Sequence, residues 1–370
     1  MKKKLFLIHQ YVGLIVGGLM FLTAISGALY VFHDELFQVF HHDVMYVQKS
    51  GSTTLPVDHL IGIANRQLPN DMKVTTSKML HNPMRAWEFR SYHQDQDAVT
   101  YFGWIKQDKI VYINPYTGKV LGVLNHKYEF FQLVKMFHWS YLLRTEYGQP
   151  IVGGVTALFF LCLITGLWLW WPKNGVKRSS FKFRYRKSFK VLNRDIHFTL
   201  GALTFPLALI LSITGMVWSY RWVMGLVYLI FNLGVHDYDA SQVQSTPMAT
   251  TTTTYEKIYR KTQTLYPSLY YISLSRPKTK KSPVQVFVKT SPSVYYNSAS
   301  LSFDQFSGKL LREQSYDNAS SGEKAIRMNY DIHVGAIGGI LGKILMFLVS
   351  LILSSLPLTG YYLWSLKRRK

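Results

Sequence analysis

The sequence predicts a membrane α-helical bundle of four transmembrane helices that carries two small α+β domains outside the membrane and is internally duplicated. Three observations carry this. Apolar runs within residues 5–33, 150–171, 196–220 and 333–366 are each long enough to approach or cross a ~30 Å hydrocarbon core at ~1.5 Å per residue. Basic residues gather beside those runs, at 2–4, 173–190 and 367–370. Each run is tied to one histidine near its start and to a small residue followed by glycine near its end, and the pattern recurs in the second half of the chain.

The first helix, residues 5–33, has His9 and Gln10 as its only strongly polar residues before it closes on His33-Asp34-Glu35. Its apolar stretch outruns the ~7–15 residues of a cleaved signal peptide, and no A-x-A site follows, so it reads as a retained anchor. Residues 34–137 are mixed and polar, a first domain. The spacing predicts a helix over 56–68 and strands at 86–90, 99–102 and 111–113. The last of these meets the turn Asn114-Pro115-Tyr116-Thr117-Gly118-Lys119 and continues through Val120-Leu121. In 138–171 a short surface helix around His138 precedes the second span. Pro150 suits a helix start there, and Trp168, Trp170 and Trp171 suit an interface belt.

A basic loop, 172–195, leads to the third span at 196–220. Within 221–332, residues 222–235 are apolar but too short to cross a membrane, which predicts an interfacial segment or a helix extension. A second polar domain follows, with a helix over 255–265 and strands at 270–274, 284–288 and 299–303. Its Asp304-Gln305-Phe306-Ser307-Gly308-Lys309 repeats the turn at 114–119 with an offset of 190 residues, and the histidine offsets are 188 and 195. The fourth span, 333–366, is followed by the basic tail 367–370. The positive-inside rule then places both termini and the 172–195 loop in the cytoplasm and both polar domains outside, in a multi-pass protein of the cytoplasmic membrane.

A net charge of +22 would suggest a nucleic-acid partner in a soluble protein, but these charges flank the apolar runs, so the implied partner is the lipid bilayer and no nucleic acid. Cys162 is the only cysteine. It excludes an internal disulfide, covalent c-type haem and a Cys-ligated iron–sulfur cluster. No Ser-His-Asp pattern, phosphate loop or H-E-x-x-H is present.

With this topology His9 and His197 lie at the inner depth and His138 and His333 at the outer depth. Two pairs at two depths fit two haems b, each bis-histidine, which together make an electron path across the bilayer. From His9 to Gly27, and from His197 to Gly215, the gap is eighteen residues, about five turns. Gly27 and Gly215 therefore share a face with those histidines, as do Gly13 and Gly201 four residues on, leaving room for a flat ring, with the distant Gly27 and Gly215 at the depth of the other haem. Two competing readings stand beside this. Small residues serve helix packing, as read for Gly17 and Gly18, and a membrane histidine can serve a helix-to-helix hydrogen bond. His33 is an alternative outer ligand, although it lies roughly 240° round the helix from His9. His41, His42, His59, His81, His93, His126 and His236 read as surface residues. Arg144, Arg194, Arg221 and Lys343 sit near span ends, as partners of haem propionates or as interfacial anchors.

Taken together, His9…Ser26-Gly27, His138…Thr165-Gly166-Leu167-Trp168-Leu169-Trp170-Trp171-Pro172, Asp195-Ile196-His197…Thr214-Gly215 and Asp331-Ile332-His333-Val334-Gly335…Thr359-Gly360 resemble the PepSY-associated transmembrane-helix family of bacterial inner-membrane, iron-regulated proteins. The resemblance covers essentially the whole chain, and the turns at 114–119 and 304–309 resemble PepSY-type repeats. It implies that the two outer domains are PepSY-like. It also implies a haem-dependent reductase acting on a ferric siderophore or another ferric chelate in the periplasm, with a quinol or a separate reductase as electron donor. A departure is His33, which has no counterpart in the second half. Two other readings remain open: a non-redox membrane protein that assists iron uptake or binds a periplasmic partner, and a cytochrome b subunit of a larger oxidoreductase.

Overall fold

A computed structural model of the chain describes residues 2–48, 53–173, 175–233, 243–246 and 253–368. His236, the end of the 222–235 segment and the last two residues of the basic tail lie outside them. The helices are α1 (Lys2–Tyr30), α2 (His33–Phe40), α3 (His42–Met45), α4 (Val57–Arg66), α5 (Tyr101–Trp104), α6 (Phe130–Ser140), α7 (Thr145–Trp170), α8 (Phe189–Ser219), α9 (Arg221–Phe231), α10 (Tyr255–Leu265), α11 (Ser321–His333) and α12 (Gly339–Arg368). The strands are β1 (Thr76–Leu80), β2 (Trp87–Gln94), β3 (Ile105–Ile113), β4 (Val120–Asn125), β5 (Tyr271–Ser275), β6 (Val284–Lys289), β7 (Ser298–Phe303) and β8 (Leu310–Ser315). They divide between two compact units: residues 1–33, 133–225 and 329–370 form one, and residues 34–132 and 226–328 the other.

The first unit is a four-helix bundle. Among the described residues, four helices are long and apolar enough to cross a membrane: α1, α7, α8 and a segment running through α12. Helix α1 packs between α7 and α12, and α8 packs between the same two, so α1 and α8 face each other across a ring. Val16, Met20, Val155, Phe159, Ala208, Val349 and Leu353 fill its centre. The spans are longer than their apolar runs. Helix α7 starts at Thr145, with Glu146 in its first turn, so Pro150 lies inside the helix and not at its start. The cost is one missing backbone donor, close to the end where such donors are unsatisfied anyway. Helix α8 starts at Phe189, seven residues ahead of the apolar run. His138 and His333 are carried by α6 and α11, each of which ends within two residues of its histidine.

The second unit corrects the expectation of two separate small domains. Its strands form one antiparallel sheet in the order β4-β3-β2-β1-β5-β6-β7-β8. The equivalent strands of the two halves, β1 and β5, pair with each other from Thr76↔Ser275 to Leu80↔Tyr271. Pairing them removes two exposed edges at once, which is what separate four-stranded sheets would have left open. One face is buried with α4 and α10 around Leu60, Phe89, Val111, Ile258, Ile272, Val288 and Leu301. The two helices exchange caps. Asp58 accepts from the backbone N–H of Tyr255 and Glu256, at 3.0 and 2.9 Å, and Glu256 accepts from that of Val57 at 2.8 Å. A carboxylate at a helix N-terminus satisfies free donors and opposes the helix dipole.

Three further expectations change. The strand expected at 99–102 stays extended only to Thr100 and then enters the short α5, where Tyr101 is fully buried and its hydroxyl donates to the Lys127 carbonyl at 2.8 Å. Strand β1 was not expected; Ser77 and Met79 point inward, with a polar residue masking the alternation. His126 is not a solvated residue. It lies 2.8 Å from Asp108, which is fully buried and also takes two bonds of 2.6 Å from Arg90. Burial alone would raise the Asp108 carboxyl, but hydrogen bonds from His126 and Arg90 outweigh it and hold it below the ordinary carboxylate range.

Candidate functional site: two imidazole pairs at opposite ends of the bundle

The four histidines meet as two pairs. The rings of His9 (α1) and His197 (α8) have centroids 6.3 Å apart at 78°, and those of His138 (α6) and His333 (α11) are 6.2 Å apart at 60°. The first pair sits where α1 and α8 begin. The second sits beside Gly27 and Gly215, eighteen residues further along those helices, about 27 Å of rise.

Each ring has a seat on a neighbouring helix, built from the small residue and glycine that end each span. His9 Nδ1 lies 3.1 Å from the Cys162 carbonyl and 3.1 Å from Thr165 Oγ1. His138 Nδ1 lies 2.9 Å from the Thr23 carbonyl and 3.4 Å from Ser26 Oγ. His197 Nδ1 lies 2.8 Å from Thr359 Oγ1, and His333 Nδ1 2.7 Å from Thr214 Oγ1. Each of these hydroxyls donates its own proton to the carbonyl four residues back, at 2.8 Å for Thr165 and Ser26, 3.1 Å for Thr359 and 2.7 Å for Thr214. The oxygen is left as an acceptor, so Nδ1 must donate. The neutral ring then carries its lone pair on Nε2, the atom free to bind a metal.

The adjoining glycine makes the approach possible. A methyl group on Gly27 would lie 2.9 Å from His138 Cε1, on Gly166 3.0 Å from His9 Cε1, on Gly360 3.4 Å from His197 Cε1, and on Gly215 3.7 Å from His333 Cε1. Gly27 and Gly215 thus lie beside the other pair: Gly27 receives His138, and Gly215 receives His333. Gly13 and Gly201 do open onto space, with nearest neighbours 4.0 Å from an added methyl.

That space is a cavity of about 350 Å³ around the first pair, with Gly13, Gly17 and Gly201 among its lining residues. Gln10, Arg194 and Lys367 also line it. The donor set suits a haem better than a bare ion. Among the described residues, no third His, Cys, Asp or Glu joins either pair to make a metal cluster. A bare ion would seek about four protein ligands, whereas a macrocycle brings four nitrogens and asks for two axial ones. Two metal–imidazole bonds of ~2 Å, with about 1 Å from each nitrogen to its ring centre, span roughly 6 Å, in keeping with both separations. In the first pair, Arg194 and Lys367 offer positive charge at one end of an apolar space, a match for propionates.

The other expected residues are placed as follows. His33 stacks on Tyr30 at 4.1 Å and belongs to neither pair. Arg144 pairs with Glu146 and lies over Tyr147, and Arg221 is exposed. Lys343 is half-buried on α12. His41 lies 3.7 Å from Glu129.

Compared with protein-family models, the chain matches the PepSY-associated TM region over residues 6–367, nearly its whole length. It belongs to the PepSY-associated TM region family. A search of curated proteins returned no match. For this PepSY-associated chain, membership and the four long apolar helices agree that it is a membrane protein. The hydroxyl partners Thr165, Thr214, Thr359 and Ser26, and the part played by Gly166 and Gly360, were missed from sequence. The repeated small-residue–Gly pair was their signal, but it does not say which helix delivers a ring to it.

Proposed function

We propose that the chain is a di-haem b electron-transfer protein of the bacterial cytoplasmic membrane that reduces a ferric siderophore or another ferric chelate on the periplasmic side, with electrons from a quinol or a cytoplasmic reductase. The observation that carries it is the pair of facing imidazoles, at 6.3 and 6.2 Å, each with Nδ1 engaged and Nε2 left for a metal. Bound haem would supply the one-electron redox chemistry. The chain's own residues hold the two axial positions (His9 with His197, His138 with His333), fix each ring through a hydroxyl or carbonyl, and keep water from the first pair with apolar walls. Basic residues at 2–4, 173–190 and 367–370 support an orientation with the first pair toward the cytoplasm. The choice of a ferric chelate rests on the family resemblance, and its chemistry is apt: oxygen chelators hold Fe(III) far more tightly than Fe(II), so reduction loosens the metal.

The test is a pyridine haemochrome assay on purified protein, followed by mixing the reduced protein with a ferric chelate. The expected result is about two haems per chain, reoxidised by the chelate as Fe(II) appears. Haem-free protein after expression with ample haem would remove the redox reading. Haem that stays reduced in the presence of the chelate would favour a cytochrome b subunit that serves a separate partner.

A further inference from the structure

Two of the four histidines close a longer motif. Asn193-Arg194-Asp195-Ile196-His197 and Asn329-Tyr330-Asp331-Ile332-His333 share Asn, Asp, Ile and His at the same spacing. Residues four apart lie on one face of a helix, and here the first and last of each motif grip a single threonine. Asn193 Nδ2 donates to the Thr359 carbonyl at 3.0 Å, while His197 Nδ1 lies 2.8 Å from the Thr359 hydroxyl. Asn329 Nδ2 donates to the Thr214 carbonyl at 3.0 Å, while His333 Nδ1 lies 2.7 Å from the Thr214 hydroxyl. Both asparagines are buried. The same clamp is thus built at each end of the bundle, once from α8 onto α12 and once from α11 onto α8.

The other two histidines have no such grip. The residues four before His9 and His138 are Leu5 and Val134, which offer no side-chain donor. Their Nδ1 atoms divide between two acceptors each, at 3.1 and 3.1 Å for His9 and at 2.9 and 3.4 Å for His138. His197 likewise reaches the Leu356 carbonyl beside the Thr359 hydroxyl, so what sets His197 and His333 apart is the asparagine on the same threonine. Each pair therefore sets one imidazole whose threonine is also gripped by an asparagine against one without that grip.

We propose that Asn193 and Asn329, through Thr359 and Thr214, are positioning residues that fix the ring orientation of His197 and His333, so that each pair has one imidazole backed by an asparagine clamp and one without. With haem bound, which rests on the reading above, the angle between the two ring planes is then set by the clamped member. Ligands held this way keep a constant geometry while the metal changes oxidation state, the usual part of groups behind a metal ligand.

The experiment uses the full chain with Thr359→Val, Thr214→Val, Asn193→Ala and Asn329→Ala. In haem-free protein with ¹⁵N-labelled histidine rings, Thr214→Val should lose the single Nδ1–H tautomer at one histidine of the four, and Thr359→Val should shift the Nδ1 resonance of a different one, where the Leu356 carbonyl remains as acceptor. Thr359→Ser and Thr214→Ser, which keep the hydroxyl, should restore both. In haem-loaded protein, Asn193→Ala should shift or broaden one of two low-spin paramagnetic-resonance signals at unchanged haem content, and Asn329→Ala the other. Unchanged tautomers and signals, with only a lowered melting temperature, would overturn the proposal. If the wild type holds no haem, the redox reading fails, and the tautomer measurement alone still decides this one.

Discussion

The two imidazole pairs have nearly the same separation and the same kind of seat, yet they stand in different backbone settings. His9 and His197 lie within continuous spanning helices, and a cavity opens beside them. His138 and His333 lie at the ends of α6 and α11, and left-handed turns then lead into the spans: Tyr141 at φ 52° and Leu142 at φ 57° after one, Gly335 at φ 79° after the other. The first pair is placed by helix packing, the second by turns. Trp218 lies edge-on to His333 at 5.3 Å, whereas open space adjoins the first pair. What the duplication repeats is the local constellation of imidazole, hydroxyl and glycine, not one backbone path to it. The first pair should therefore answer most to changes in packing, and the second most to changes in its turns.

The largest effects come from the histidines. His9→Ala and His197→Ala should each remove the same haem, about half of the total, and leave the second; His138→Ala and His333→Ala should do the converse. Haem content with paired optical spectra reads this, and loss of both haems from any single variant would break the division into pairs. Gly335→Ala comes next. It forces an alanine into a left-handed conformation and puts a methyl 2.3 Å from the Gly342 carbonyl oxygen. The second haem should be lost or strongly perturbed while the first keeps its spectrum, and equal damage to both would count against separate placement.

Smaller effects grade the seats. Gly27→Ala and Gly166→Ala, whose methyls would lie 2.9 and 3.0 Å from a ring carbon, should shift the spectrum of the second and first pair respectively. Gly360→Ala, at 3.4 Å, should do less, and Gly215→Ala, at 3.7 Å, next to nothing. A reversed order, read from midpoint potentials or resonance signals, would show that the rings do not rest on these glycines. The least effect on either pair belongs to Asp108. Its carboxyl is held below the ordinary range, so its stabilisation is present above about pH 4 and is lost as the pH falls through the lowered value. Asp108→Asn should cost ~2 kcal/mol, less than a fully buried pair because Arg90 is 37% exposed, and flatten the acid limb of the sheet's unfolding curve. Both haem spectra should stay as they are.

The spans and the duplication were legible because a membrane helix announces itself by length and composition, and because Gly118 and Gly308 mark equivalent turns. The helix over 255–265 was legible for the same local reason, its 3.6-residue periodicity. The single sheet was not, since β1–β5 pairing joins segments nearly two hundred residues apart and nothing in Thr76–Leu80 names its partner. His126 read as solvated because Asp108 and Arg90 reach it only across the sheet. The histidines were legible as a set through their spacing. Gly27 and Gly215 were legible at the depth of the other pair but not the histidine that rests on each, because helical arithmetic gives the face of a residue and not the helix that packs against it. Asn193 and Asn329 stood four residues before their histidines in plain view, and only the threonine carbonyls they reach reveal what they do.

The most direct measurement is the haem stoichiometry of the purified wild-type chain beside that of His197→Ala and His333→Ala. About two haems per wild-type chain, and about one in each variant with complementary spectra, is the result expected of two independent imidazole pairs. A wild type that takes up no haem, or variants that retain both, would contradict it.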